Sequence, residues 1–500
     1  MDTWILIGTV VAGFLISWSL IPVLQRRSVW AMGRRNFHHE PTASLSRFGG
    51  VAIAAAFVLV ATGAAAWLSF EPLRHAPQWG VLLGSLGMFG LGLRDDCKPM
   101  GAKAKLLGQI LIASAVFCCG VRIDCLRDPI TGTSYALGAG AFLATVLWLV
   151  ALTNLMNLID GIDGLAGGIG LMLMCLLAYF GLANDRFSLL LTVGVGGAIV
   201  GFLYYNFPPA KIYLGDGGAY FIGFLIGALT ITNSQKGTVA AGLIAPLFAL
   251  ALPIADVALA ILRRGLRGLP IFRPDRKHIH HRLVEFGFTR RGAVLVLYGL
   301  SLSCSLLALV VFWSRGNLAP ILVGAMFLMF FFSARLFGFV TDWNAMGREL
   351  GVSLSLRKDT RYALAMCEWL EMEAERCESL QELWTTYLFI TRKLGLAQVK
   401  LVLDGGGTVF REPSSGNSTE FHRNRREMPL ANIRAMEFAS ESSAMSPRLF
   451  EHLTELAAEA WMKAVQRWQA VNRVPAVFEP ALPSETTFIS RGRALISNVA

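Results

Sequence analysis

Charge is what this sequence has least of. Asp, Glu, Lys and Arg together make up 16% of its 500 residues, against 54% apolar. That shortage excludes a disordered chain and an ordinary water-soluble domain with a charged surface. Cysteine is present without pattern. Cys97, Cys118, Cys119, Cys125, Cys175, Cys304, Cys367 and Cys377 show no metal-type pairing, and only Cys118, Cys119 and Cys125 are placed to meet an oxidising face. The first apolar run lacks a basic leading region and a small-residue cleavage site, so it reads as a retained first helix.

What the chain does hold is long apolar runs without an amphipathic stripe. Windows of about twenty residues mark spans near Ile5–Leu24, Val51–Phe70, Trp79–Leu93, Leu106–Val121, Ala141–Leu158, Leu165–Leu182, Leu189–Tyr205, Ala219–Ile231, Val239–Leu262, Ala293–Trp313 and Ile321–Val340. The expected fold is an all-α polytopic membrane protein of about eleven transmembrane helices, with a small C-terminal cytoplasmic α+β domain. Alternate loops carry nineteen Lys and Arg against six on the opposite side. The positive-inside rule then places the N-terminus outside and the richer loops and the C-terminus in the cytoplasm. A net charge of +11 suits an anionic membrane surface or phosphorylated substrates; nucleic acid is not expected.

Polar clusters interrupt the apolar pattern, and the charge count puts all of them on the cytoplasmic face. Asn154, Asn157, Asp160 and Asp163 recur every third residue at a helix end and continue into Gly161 and Gly164. They read as a metal or phosphate site, or as a helix terminus capping its own amides. Asp95-Asp96, followed by Lys103 and Lys105, offers paired carboxylates for a divalent cation or a general base, or a solvated turn. Asp216 stands among glycines in Leu214-Gly-Asp-Gly-Gly, which suits a hard cation bound through oxygens or a tight turn. Pro274 to Leu283 brings His278, His280 and His281 beside Arg276, Lys277 and Arg282. This is an anion clamp, since no Cys or carboxylate completes a tetrahedral zinc set. Arg34 to Gly50 contains His38, His39, Arg47 and the pair Gly49-Gly50, either a phosphate contact or a basic anchor with glycines for helix packing. Together the clusters suit a nucleotide diphosphate meeting a membrane-borne phosphate.

These motifs, in this order and sidedness, resemble the polyprenyl-phosphate N-acetylhexosamine-1-phosphate transferase family over roughly the first two-thirds of the chain. The histidine loop is similar to that of the branch using UDP-N-acetylglucosamine. The resemblance implies transfer of N-acetylhexosamine 1-phosphate, most simply the GlcNAc form, from the UDP-sugar to polyprenyl phosphate, with release of UMP, as the first membrane step of surface polysaccharide synthesis. It implies that Asp95 and Asp96 serve the lipid phosphate, with Asp95 as the base that removes its proton or as the group that orients it. Asn157 and Asp216 would ligate Mg²⁺, with Mn²⁺ as a substitute, and Lys105 would contact phosphate. Asn154, Asp160 and Asp163 would line the substrate pocket, and His278, His280, His281 and Arg282 would hold diphosphate and sugar. Placement in the inner membrane follows, with membrane lipid around it and the active site cytoplasmic. A homodimer and contact with downstream glycosyltransferases are compatible partners. The segment from His38 to Gly50 is looser than the family's spacing and receives no catalytic role.

Two other classes compete. A transporter calls for polar residues through the membrane depth and an inverted repeat, and neither is visible. A membrane-anchored sensor with an inactive core leaves the intact loop motifs unexplained. After Val340 the composition turns charged. The sequence predicts 1–340 as the membrane transferase domain and 341–500 as a cytoplasmic accessory domain. Helices are expected over Tyr362–Cys377, Leu380–Leu394 and Pro447–Val471, with a strand over Gln398–Leu403, an order that resembles a GAF-type sensor domain. Gly405 to Gly407 reads as a hairpin turn, because no Lys-Ser/Thr and helix follow it.

Overall fold

A computed structural model describes residues 3–26, 45–127, 133–182, 185–234, scattered positions within 250–265, then 283–284, 286–314, 318–336, 343–403, 408–409, 421–430, 433–441 and 445–473. The described residues fall into two compact units, one running to Trp343 and the other continuing from Asn344, with Arg264 and Gly265 grouped with the second.

In the first unit the apolar runs become helices: α1 (Thr3–Arg26), α2 (Gly49–Trp67), α3 (Ala76–Cys97), α4 (Ala102–Cys118), α5 (Gly140–Ile159), α6 (Leu165–Gly181), α7 (Arg186–Asn206), α8 (Gly215–Ser234), α9 (Arg290–Trp313) and α10 (Ala319–Leu336). A short antiparallel hairpin, β1 (Cys125–Arg127) and β2 (Ser134–Ala136), joins α4 to α5. Among the described residues six helices, α1, α2, α5, α7, α8 and α9, are long and apolar enough to cross a membrane, and α6 and α10 carry shorter apolar stretches. The protein is therefore a polytopic membrane protein. The span expected at Val239–Leu262 lies largely outside the described residues.

Helix α8 is the hub. It packs against α2, α3, α5 and α6, while α1 lies on α7 and α2. Nearly every residue of α8 is buried, whereas most of α1 faces outward, so α8 is shaped by helix contacts and α1 by lipid. Small residues make this possible. A Cβ at Gly92 of α3 would run into the backbone of Asp216 and Gly217, and one at Gly50 of α2 would meet the backbone of Gly218. Three helices thus approach at backbone distance around the first turn of α8. At the other end of the helices, the Asp185 carboxylate caps α7 by accepting from the N–H of Phe187 and Ser188, and it accepts from Gln78 Nε2 of α3 at 3.0 Å.

The second unit contains α11 (Trp343–Glu373), α12 (Leu380–Lys393), β3 (Gln398–Leu403), β4 (Thr408–Val409), β5 (Phe421–Leu430), β6 (Ile433–Glu441) and α13 (Pro447–Asn472). The strands form an antiparallel sheet in the order β4-β3-β6-β5. Alternation along β3 buries Val399, Leu401 and Leu403. Those residues share one core with Trp384 and Tyr387 of α12 and Trp461 of α13, whose rings meet at centroid distances of 4.8 to 5.5 Å. Ser379 caps α12 by accepting from Glu382 N, and Ser446 caps α13 by accepting from Leu449 N. The hairpin of β5 and β6 was not among the expected elements, and the Gly405–Gly407 turn lies outside the described residues.

Candidate active site

The site begins where α3 turns into α4. Asp95 Oδ1 accepts the N–H of Met100 at 2.6 Å, which fixes the reversal through Pro99 and Gly101. Lys105, on the first turn of α4, is thereby carried back to Asp95. Its Nζ stands 2.6 Å from Asp95 Oδ2 and 3.0 Å from Asp216 Oδ2, on the first turn of α8. The Asp95 side chain has 0% of its surface exposed, while Lys105 and Asp216 keep 20% each. The cluster therefore opens outward through Lys105 and Asp216. Burial would raise the Asp95 pKa, but hydrogen bonds with Asp216, Lys105 and the Met100 amide hold it below the usual carboxylate value.

Asp96 has a different task from its neighbour. Its two oxygens accept the N–H groups of Asp216 at 3.0 Å and Gly217 at 2.9 Å. A carboxylate of α3 thus caps the N-terminus of α8, where orphan amides and the helix dipole favour negative charge. Burial nevertheless pushes the Asp96 pKa up to about 6; the Gly217 amide opposes this and the Asp216 charge adds to it.

The second part of the site is the loop after α5 together with the segment between α7 and α8. Asn206, buried at the end of α7, joins them: its Oδ1 accepts Gly164 N at 2.8 Å and its Nδ2 donates to Ile212 O at 2.8 Å. Asp163 Oδ2 accepts Ala210 N at 3.0 Å across the same gap. From α9, Tyr298 donates its hydroxyl to Gly164 O at 2.6 Å and Arg291 Nε donates to Pro208 O at 2.5 Å. Asp160 lies beside this lattice. Part of its side-chain surface stays open, yet the carboxyl is set deep enough for burial to raise its pKa well above the ordinary value. The charges of Asp216, Asp96 and Asp163 add to that rise. The Asp160 carboxyl thus feels the charges of Asp216 and Asp96 at the head of α8.

Asn154 engages α4. It exchanges hydrogen bonds with Gln109 of α4, donating from Nδ2 to Gln109 Oε1 at 2.6 Å. That pair satisfies two amides between helices and makes a helix-to-helix tie. Asn157 is half-exposed one turn before Asp160. His278, His280, His281 and Arg282 lie outside the described residues. Sequence reading gave no role to Asn206, Gln109, Tyr298 or Arg291; Gln109 and Tyr298 are lone polar residues in apolar runs, and Arg291 counted only toward loop charge.

No group of three or more His, Cys, Asp or Glu side chains that would hold a metal by themselves occurs among the described residues. The carboxylates do converge on one positive charge, the Lys105 ammonium, and offer only oxygen donors. That chemistry fits a hard divalent cation that keeps water and substrate phosphate among its ligands.

Membrane helices carrying a buried acid–lysine cluster at the head of a central helix make a polytopic membrane protein with a charged site at one helix end, and comparison with known proteins gives its family. Residues 78–234 match the family described as Glycosyl transferase family 4. The chain is 34% identical over 267 residues to a probable undecaprenyl-phosphate N-acetylglucosaminyl 1-phosphate transferase of Bacillus subtilis (strain 168), covering 53% of this chain and 73% of that protein. It is 32% identical over 290 residues to a decaprenyl-phosphate N-acetylglucosaminephosphotransferase of Mycobacterium tuberculosis (strain CDC 1551 / Oshkosh), covering 53% and 70%. A phospho-N-acetylmuramoyl-pentapeptide-transferase of Bacillus velezensis is 27% identical over 337 residues, covering 64% and 96%. The chain belongs to the polyprenyl-phosphate N-acetylhexosamine-1-phosphate transferase family.

Proposed function

We propose that this protein transfers N-acetylglucosamine 1-phosphate from its UDP-sugar to polyprenyl phosphate at the cytoplasmic face of the inner membrane, as an opening step of surface polysaccharide synthesis. The observation that carries this reading is the ion cluster of Lys105 with Asp95 and Asp216, set at the head of α8 by the Asp96 cap. Kinship with the transferases named above supports it. The eleven-span topology and the assignment of 341–500 as a cytoplasmic accessory domain belong to the same proposal.

An oxygen of the lipid phosphate attacks the β-phosphorus of the UDP-sugar. The bond to the α-phosphate oxygen breaks, UMP leaves, and the lipid becomes a diphosphate-linked sugar. Such a transfer needs positioning and charge neutralisation above all. A phosphate monoester has its second pKa near 6, so about neutral pH it is already mostly dianionic. A general base is therefore dispensable, which agrees with an Asp95 that has no exposed surface: Asp95 holds Lys105, and Lys105 presents its remaining N–H toward phosphate. Asp216 and Asn157 are the residues we assign to Mg²⁺, for which Mn²⁺ would substitute. A cation held there would supply positive charge against the diphosphate. Asp160 and Asp163 frame the nucleotide side, and the loop holding His278, His280, His281 and Arg282 supplies further donors for diphosphate and sugar.

The test is UMP release by purified protein with Mg²⁺, undecaprenyl phosphate and a panel of UDP-sugars. Release that needs both lipid and metal and prefers UDP-N-acetylglucosamine is the expected result. Absence of release from folded protein with every sugar would overturn the reading.

A further inference from the structure

The segment Ser46-Arg47-Phe48-Gly49-Gly50, given no role by the spacing of its motif, is bound to the head of α8 by backbone. Tyr213 N donates to Ser46 O at 2.8 Å, Gly49 N to Tyr213 O at 2.9 Å, and Gly50 N to Leu214 O at 2.9 Å. The Arg47 carbonyl presses on Gly215, where a Cβ would collide with it, and Asp96 touches the same position. Gly215 adopts φ +78°, so this junction admits neither a side chain nor much movement. Arg47 is thus anchored one residue from Asp216 in space, on a short ladder rather than on a loose loop.

Its side chain is half-buried. The Arg47 charge acts on Asp96, Asp160 and Tyr213, which puts the guanidinium on the carboxylate side of the segment. Among the described residues, none pairs with it at hydrogen-bond distance. A partly desolvated guanidinium has five donors and is costly to leave unserved. The other described cation of the cluster, Lys105, is already committed to Asp95 and Asp216. One N–H of Lys105 is left for phosphate against five carboxylates, Asp95, Asp96, Asp160, Asp163 and Asp216, so a phosphorylated substrate gains from a second positive group with free donors, and Arg47 is placed to be that group.

We propose that Arg47 is a phosphate-binding residue, its guanidinium forking onto phosphate oxygens of a substrate at the head of α8. The inference rests on the transferase reading for its two phosphate sources, the diphosphate of the donor and the phosphate of the lipid. The bland alternative is that Arg47 only offsets the charge of Asp96 and Asp160.

The experiment uses the full-length protein in detergent, with Arg47→Gln and Arg47→Lys beside the wild type. One arm measures equilibrium binding of UDP and of uridine, in EDTA and in Mg²⁺; the other measures the KM for undecaprenyl phosphate from UMP release. Loss of a charge-assisted phosphate contact is expected to weaken binding by about tenfold or more. Arg47→Gln should then either erode the preference for UDP over uridine by that factor, which names the donor diphosphate, or raise the lipid KM by that factor with UDP binding intact, which names the acceptor. Loss in both arms supports the proposal as a bridge between the two. Equal loss of UDP and uridine with an unchanged lipid KM, or no change anywhere, overturns it in favour of charge balance alone. If Arg47→Gln is not monodisperse, Arg47→Lys decides, since it keeps the charge on Asp96 and Asp160 and removes the fork. A drop of about threefold or more in either arm supports the proposal, and wild-type values overturn it. Should the wild type itself release no UMP, the transferase reading falls, while the comparison of UDP with uridine still judges Arg47.

Discussion

Asp95, Lys105 and Asp216 act as one unit, so the consequences of altering each differ in kind. Lys105→Met would leave the fully buried Asp95 carboxylate without its cation. Breaking such a pair costs on the order of 3 kcal/mol, and the phosphate contact goes with it. We expect lower thermal stability together with a fall in kcat/KM of about a hundredfold or more, read by a melting curve and a UMP-release assay on the same preparation. Asp216→Asn is nearly isosteric and Asp216 is partly open, so the fold should hold while turnover is lost. Full activity in that variant would remove Asp216 from metal binding. The acids and Lys105 were legible in the sequence because carboxylates at a membrane boundary stand out against apolar runs. Asn206, Tyr298 and Gln109 were not. Each is a single polar residue whose meaning comes from a partner distant in sequence, such as Gly164 for Tyr298 or Asn154 for Gln109.

At the scale of elements, helix α3 contains its own control. A Cβ on Gly92 would enter the backbone at the head of α8, whereas one on Gly90 meets nothing within 4 Å. Overpacking of this kind costs roughly 1–3 kcal/mol. Gly92→Ala should therefore lower the melting temperature and disturb the Asp96 cap enough to reduce UMP release, and Gly90→Ala should leave both near wild type. Equal behaviour of the two variants would show that α3 and α8 do not meet as closely as described. The membrane helices were easy to read from long apolar runs, and so was β3 from its strict alternation. The hairpin partner β5 was hidden because Phe421 to Leu430 holds His422, Arg423, Arg425, Arg426 and Glu427 in close succession, with no apolar face to betray a strand. It is an edge strand, where charge guards against further pairing, and the same charge imitates a loop.

For the whole molecule, charge distribution predicts an orientation that the native cysteines can report. Cys97 is exposed at the end of α3 beside Asp95 and Asp96, and Cys125 is partly exposed on the β1–β2 hairpin. Helix α4 separates them, so a single crossing by α4 puts them on opposite faces of the membrane. The positive-inside count assigns Cys97 to the cytoplasm and Cys125 to the outside. A membrane-impermeant thiol reagent applied to intact cells should label a variant keeping only Cys125 and spare one keeping only Cys97, and lysis should make both reactive. Labelling of Cys97 alone would invert the topology and place the Asp95–Lys105–Asp216 cluster away from a cytoplasmic UDP-sugar, which the proposed reaction does not survive. Labelling of both in intact cells would mean that α4 does not cross, and the expected count of spans would fall with it. The outcome proposed here, Cys125 outside and Cys97 inside, sets the acid–lysine cluster where a cytoplasmic nucleotide sugar and the headgroup of an inner-leaflet lipid phosphate arrive at the same end of α8.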